Sequence, residues 1–82
     1  MNYKILPTKQ FEKDFKKLDS SVRKRVIKKI NEVAVDPTRY KHLRNVLSNS
    51  CRIWVDKYRV MFSYDVNKKE LYLEKVIFGH KY

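Results

Sequence analysis

Residues 51–65 read CRIWVDKYRVMFSYD, and residues 70–78 read ELYLEKVIF. In the first stretch Cys51, Ile53 and Val55 alternate with Arg52, Trp54 and Asp56. Tyr58, Val60, Phe62 and Tyr64 then alternate with Arg59, Met61, Ser63 and Asp65. A period of two over runs this long marks strands with one face buried and the other open. Val66-Asn67-Lys68-Lys69 supplies a polar turn into a third strand over Glu70 to Phe78. Within that strand Glu74-Lys75 breaks the alternation, which predicts a bulge.

Upstream of these strands the period changes. Residues 2–6 form a short strand candidate stopped by Pro7, and Thr8 then stands as a helix N-cap. Phe11, Phe15 and Leu18 follow at steps of four and three, the spacing of one helix face. Asp19-Ser20-Ser21 interrupts that pattern and offers a second cap, after which Val22, Val26, Ile27, Ile30 and Val33 form a second stripe. Asp36-Pro37 ends this helix, because the residue before proline is pushed out of the helical region. So short a connection predicts an antiparallel helical hairpin. Between 38 and 50 the pattern is irregular: Leu43, Val46 and Leu47 could anchor a turn of helix, and Ser48-Asn49-Ser50 reads as a turn with Asn49 accepting positive φ. The expected fold is α+β in the order β-α-α-β-β-β, the hairpin covering one face of an antiparallel sheet.

Composition narrows the function. The 82 residues suit one domain spanning 1–82, and 43% hydrophobic content predicts a packed core. Twenty Lys and Arg stand against nine Asp and Glu, a net charge of +11, which predicts a polyanionic partner. The lone Cys51 excludes an internal disulfide framework and is expected in the core. One Cys and two His are too few for a zinc site, and no G-x-G-x-x-G or Walker A run appears, so no metal and no cofactor are expected. No apolar run approaches the roughly 20 residues of a membrane span, and MNYKILP at 1–7 is too short for a signal peptide. The expected setting is soluble and cytoplasmic.

The strand alternation sends Arg52, Trp54 and Arg59 to the open face. Guanidinium groups take phosphates in bidentate fashion and an indole stacks a base, a combination suited to single-stranded RNA. Trp54 would equally serve to cover the sheet from behind. Arg23, Lys24, Arg25, Lys28 and Lys29 make a second basic cluster, read either as a further RNA contact or as a solvated helix face. The chain closes on Phe78-Gly79-His80-Lys81-Tyr82, which supplies a group titrating near neutrality, a cation and a phenol within three residues. Cleavage of RNA through its 2′-OH needs a proton acceptor, positive charge on the phosphorane oxygens and a proton donor for the leaving oxygen. With few carboxylates and no G-x-S-x-G, two-metal and Ser-His-Asp chemistry are disfavoured.

These pieces resemble the RelE/ParE superfamily of prokaryotic toxins, and within it the RelE-like messenger-RNA interferases. The likeness lies in the strand before FEKDFKKLD, the basic helix ending at DP, the run HLRNVLSNSCRIWVDKYRVMFSYD and the closing GHKY. It implies a metal-independent endoribonuclease that cuts messenger RNA in the ribosomal A site and leaves a 2′,3′-cyclic phosphate. It also implies an acidic RelB-like antitoxin as partner. Under the resemblance Arg59 stabilises the scissile phosphate, and Arg52 helps hold substrate. His80 or Lys81 supplies the basic or acid–base group, and Tyr82 stacks on the base. Trp54 stands where many relatives carry a second lysine, and Lys57 is the nearby cation that would substitute. A ParE-like toxin that binds gyrase without nuclease chemistry, or a plain basic nucleic-acid-binding module, would share the fold.

Overall fold

The computed structural model describes residues 2–40 and 51–79. Strand β1 (Lys4–Pro7) leads into helix α1 (Lys9–Lys16) and helix α2 (Ser20–Val35), followed by a 3-10 turn over Pro37–Arg39. Strands β2 (Cys51–Val55), β3 (Tyr58–Asp65) and β4 (Glu70–Phe78) complete the order β-α-α-β-β-β. The expected turn around Asn49 and the anchors Leu43, Val46 and Leu47 lie outside the described residues.

Both caps form as their chemistry predicts. The Thr8 hydroxyl accepts from the Phe11 N–H at 3.2 Å, and the Asp19 carboxylate accepts from the Val22 N–H at 2.9 Å. Arg23 Nη1 then donates to the Leu18 carbonyl at 2.8 Å, closing the connection between the helices. The bond from Val22, with a second from the Ser21 hydroxyl and the charges of Arg23 and Arg25, lowers the Asp19 pKa. A carboxyl whose folded pKa lies below its unfolded value contributes stability above the unfolded pKa and loses it as pH falls through the folded one. Acidification below the ordinary aspartate value of 3.8 is therefore expected to weaken α2, and Asp19→Asn to remove that part of the acid transition. Thermal melts followed by helical circular dichroism across this range would check it; an unchanged acid profile in the variant would refute the cap's contribution.

The sheet runs in the order β1-β4-β3-β2. β2, β3 and β4 are antiparallel neighbours, as the alternation predicts. β1 differs: it pairs parallel to β4, Lys4 opposite Glu70 through Pro7 opposite Leu73, so the sheet is mixed at this edge. A period of two carries no strand direction; the route of the chain through the helix layer sets it. Pro7 closes β1 on an edge strand, where a missing N–H is tolerated.

The expected bulge is at Glu74. Met61 faces Lys75 while Phe62 faces Leu73, leaving Glu74 as the extra residue. Where β1 ends, α1 takes over the outer edge of β4. The Thr8 hydroxyl lies 2.9 Å from the Leu73 carbonyl and 3.0 Å from that of Glu74, and the Asp14 carboxylate accepts the Val76 N–H at 3.0 Å. Side chains more than 60 positions away in the sequence thus satisfy backbone groups a bare edge would leave open.

The helices and the inner sheet face enclose one core, with Val26, Val33, Cys51, Val60, Phe62 and Leu71 at its centre. Phe11 stacks on Phe15 at 5.6 Å, and Tyr40 meets Phe62 edge-on at 6.2 Å. Ile27 departs from the expected stripe and is 49% exposed. The buried sequence is Val22, Val26, Ile30 and Val33, and Ile27 stands about 100° round the helix from Val26. There it joins Ile5, Pro7, Phe11, Phe15 and Leu73 in an apolar groove of about 540 Å³ beside Glu12, Lys16 and Asn31. Among the described residues no helix is long and apolar enough to cross a membrane.

Candidate functional site

The β2–β3 hairpin builds the site. Cys51, Ile53 and Val55 are buried while Arg52 and Trp54 are exposed, so the alternation sends the polar set to the open face. Trp54 sits directly opposite Arg59, and Arg52 opposite Met61. On its other side Arg59 faces Ile77 of β4. The open face therefore carries Arg52, Trp54 and Arg59 on adjacent strands, as their spacing predicts.

The Arg59 guanidinium lies over the Trp54 ring, 5.6 Å from its centroid, within reach of the ring quadrupole. Its Nε is buried and has no hydrogen-bond partner among the described residues. A buried charged donor left unpaired is costly, and an incoming anion would satisfy it. The ion pairs among the described residues are Arg25–Asp56 and Lys29–Glu32, so neither Arg52 nor Arg59 is neutralised by a carboxylate there.

Lys57 stands in the tight turn between β2 and β3, where Asp56 takes a positive φ of 55°. The turn is braced from outside by Arg25 of α2, which donates to the Asp56 carboxylate. The Lys57 carbonyl accepts the Gly79 N–H at 2.6 Å, tying the end of β4 to this turn. Gly79 is where sequence reasoning fell short. A Cβ there would lie 2.3 Å from Trp54 Cζ3 and 2.6 Å from Cη2, so the bare backbone lets the indole ring lie close. The available signal was that Gly79 is the chain's single glycine.

The second basic cluster does not join this face. Arg23 is committed to the Leu18 carbonyl, Arg25 to Asp56, and Lys29 lies 3.5 Å from Glu32. Lys24 and Lys28 stand about 160° round the helix from the buried Val26, on the side of α2 turned away from the sheet. Lys24 and Lys28 therefore do not share the open sheet face with Arg52, Trp54 and Arg59, whereas Arg25 reaches the β2–β3 turn through Asp56. His80, Lys81 and Tyr82 lie outside the described residues.

Two other groups are accounted for. Cys51 is fully buried, and burial, with the charge of Glu74, pushes its thiol up to about 11, fitting a core residue rather than a nucleophile. Tyr72 donates its hydroxyl to Glu70, and this bond with burial raises its pKa to about 12, so the phenol stays protonated.

The sequence matches the family described as the ParE toxin of the type II toxin–antitoxin system parDE over residues 5–77. The chain belongs to this family. The match takes in Arg52, Trp54, Lys57 and Arg59 and stops two residues before Gly79. A search of curated proteins found no match. The fold also matches solved RelE toxins. The toxin–antitoxin complex RelBE2 of Mycobacterium tuberculosis aligns with a TM-score of 0.84 at 20% identity, covering 95% of this chain and 99% of that one. The isolated E. coli RelE toxin aligns with a TM-score of 0.84 at 23% identity, over 98% of this chain and 87% of that one. The archaeal RelE–RelB complex of Pyrococcus horikoshii aligns with a TM-score of 0.78 at 16% identity over the full length of both. This ParE-family toxin is thus RelE-like in fold, as the resemblance in its strands and terminal motif implies.

Proposed function

We propose that this toxin is a ribosome-dependent endoribonuclease that cleaves messenger RNA in the A site and is held inactive by a cognate acidic antitoxin. The observation that carries the reading is Arg59: among the described residues its guanidinium on the open face has no carboxylate partner and its buried Nε no hydrogen bond. In the proposed reaction the 2′-OH attacks the adjacent phosphorus, the 5′-oxygen leaves and a 2′,3′-cyclic phosphate forms. Arg59 stabilises the charge that develops on the phosphorane oxygens, and Arg52 helps hold the strand. His80 or Lys81 handles the proton, and Tyr82 stacks on the base. Lys57 is the remaining cation of the β2–β3 turn. No metal and no cofactor enter this reaction, and action at the ribosome puts the toxin in the cytoplasm.

The match to the ParE family keeps a second reading, a ParE-like toxin that inhibits gyrase without cutting RNA. Both readings share the fold, and chemistry separates them. Cleavage of ribosome-bound messenger RNA assayed beside gyrase supercoiling decides between the two.

Solved relatives are complexes of RelE with RelB, which supports an antitoxin partner here. The apolar groove around Ile27 is its proposed seat, since an amphipathic segment with acidic flanks complements both the exposed apolar side chains and the charge of +11. Ile27→Asp is expected to weaken antitoxin binding by at least about tenfold, through lost apolar contact and added repulsion. Calorimetric titration with the cognate antitoxin reads this; unchanged affinity in the folded variant would move the contact elsewhere.

A further inference from the structure

Trp54 is 53% exposed on a sheet edge, yet its ring is engaged on more than one side. Arg59 lies over it at 5.6 Å, and a Cβ on Gly79 would collide with it at 2.3 Å. Gly79 is itself bonded to the Lys57 carbonyl at 2.6 Å, and that carbonyl would stand 3.0 Å from the same added Cβ. One indole therefore meets two parts of the chain, β3 through Arg59 and the end of β4 through Gly79, and Gly79 is in turn tied to the β2–β3 turn by the Lys57 carbonyl. A platform kept free for a nucleotide base would need none of these contacts.

We propose that Trp54 is a positioning residue, its ring fixing the Arg59 guanidinium from one side and pinning the end of β4 through Gly79 from another. Among the described residues Arg59 Nε has no hydrogen-bond partner, and the Trp54 ring is the group against which the guanidinium rests. The role in catalysis rests on the endonuclease reading; the lock itself does not.

The test has two arms. The first needs no activity. Trp54 is the only tryptophan, so intrinsic emission reports this ring alone. Iodide is drawn by the Arg59 charge, whereas acrylamide is neutral. Arg59→Gln is expected to lower quenching by iodide about twofold relative to acrylamide, as loss of one adjacent charge would. Gly79→Ala is expected to lower the melting temperature in the Trp54 protein and to lose most of that effect in a Trp54→Leu background, because clash and ring disappear together. Equal destabilisation in both backgrounds, or an unchanged quenching ratio, would overturn the lock.

The second arm measures cleavage of ribosome-bound messenger RNA. Trp54→Leu is expected to lower kcat by about tenfold or more with little change in KM, since small misplacements of a catalytic group are costly. Trp54→Phe, which retains a ring face, should recover most of that loss. A rise in KM at constant kcat would mean base stacking and would refute positioning. Absence of cleavage by the wild-type protein, with the coupling and quenching results intact, would instead remove the endonuclease reading and leave the lock standing.

Discussion

Arg59→Ala is expected to reduce cleavage of ribosome-bound messenger RNA about a hundredfold while leaving the domain folded. Removing one group that stabilises developing charge costs roughly 3 kcal/mol in a site excluded from water, which corresponds to that factor. The guanidinium is poised for the task, without a carboxylate neighbour among the described residues and with its Nε buried and unbonded. The same orphaned donor explains why the fold should survive. Truncation removes an unpaired buried polar group together with its contact to Trp54, and these effects oppose one another. Arg59→Lys should recover only part of the activity, because an ammonium lacks the planar fork that fits phosphate. Single-turnover cleavage with a thermal melt of each variant is the measurement. Unimpaired cleavage by a folded Arg59→Ala protein would take Arg59 out of the site.

Phe62→Ala carries the largest expected effect on stability. Phe62 is 1% exposed at the middle of β3, a strand paired on both sides, and it meets Tyr40 edge-on. Truncating a buried phenylalanine costs about 3–5 kcal/mol, from lost transfer energy plus the cavity left behind. A domain of this size has a total of only about 4–12 kcal/mol, and a charge of +11 adds self-repulsion. The variant alone should unfold at far lower urea concentration than the parent, and antitoxin that binds only the folded form should raise the midpoint again. A cost below about 1 kcal/mol would mean that Phe62 does not anchor the core.

The parts of the fold legible in the sequence are those set by local chemistry. Thr8 and Asp19 cap their helices through side chains three residues from the amides they satisfy. Alternation from Cys51 to Tyr64 gives the buried face of the hairpin, and its failure at Glu74 gives the bulge. What escaped depends on groups far apart in the chain. The parallel direction of β1 follows from the path through α1 and α2, which no period records. The exposure of Ile27 follows from a groove lined by three other elements.

The same division holds at the site. Arg52, Trp54 and Arg59 were legible on one face because they belong to one hairpin. The separation of Lys24 and Lys28 from that face was not, because net charge has no direction in space. Gly79 against Trp54 joins residues 25 positions apart in the sequence, and only the pairing of β4 with the β2–β3 hairpin brings them together.

Primer extension of messenger RNA on ribosomes, with and without the purified toxin, reads the proposed cleavage itself. Cuts confined to the A-site codon, absent on naked RNA and lost with Arg59→Ala, are the expected result. Intact messenger RNA in the presence of folded wild-type protein, together with inhibition of gyrase supercoiling, would contradict it.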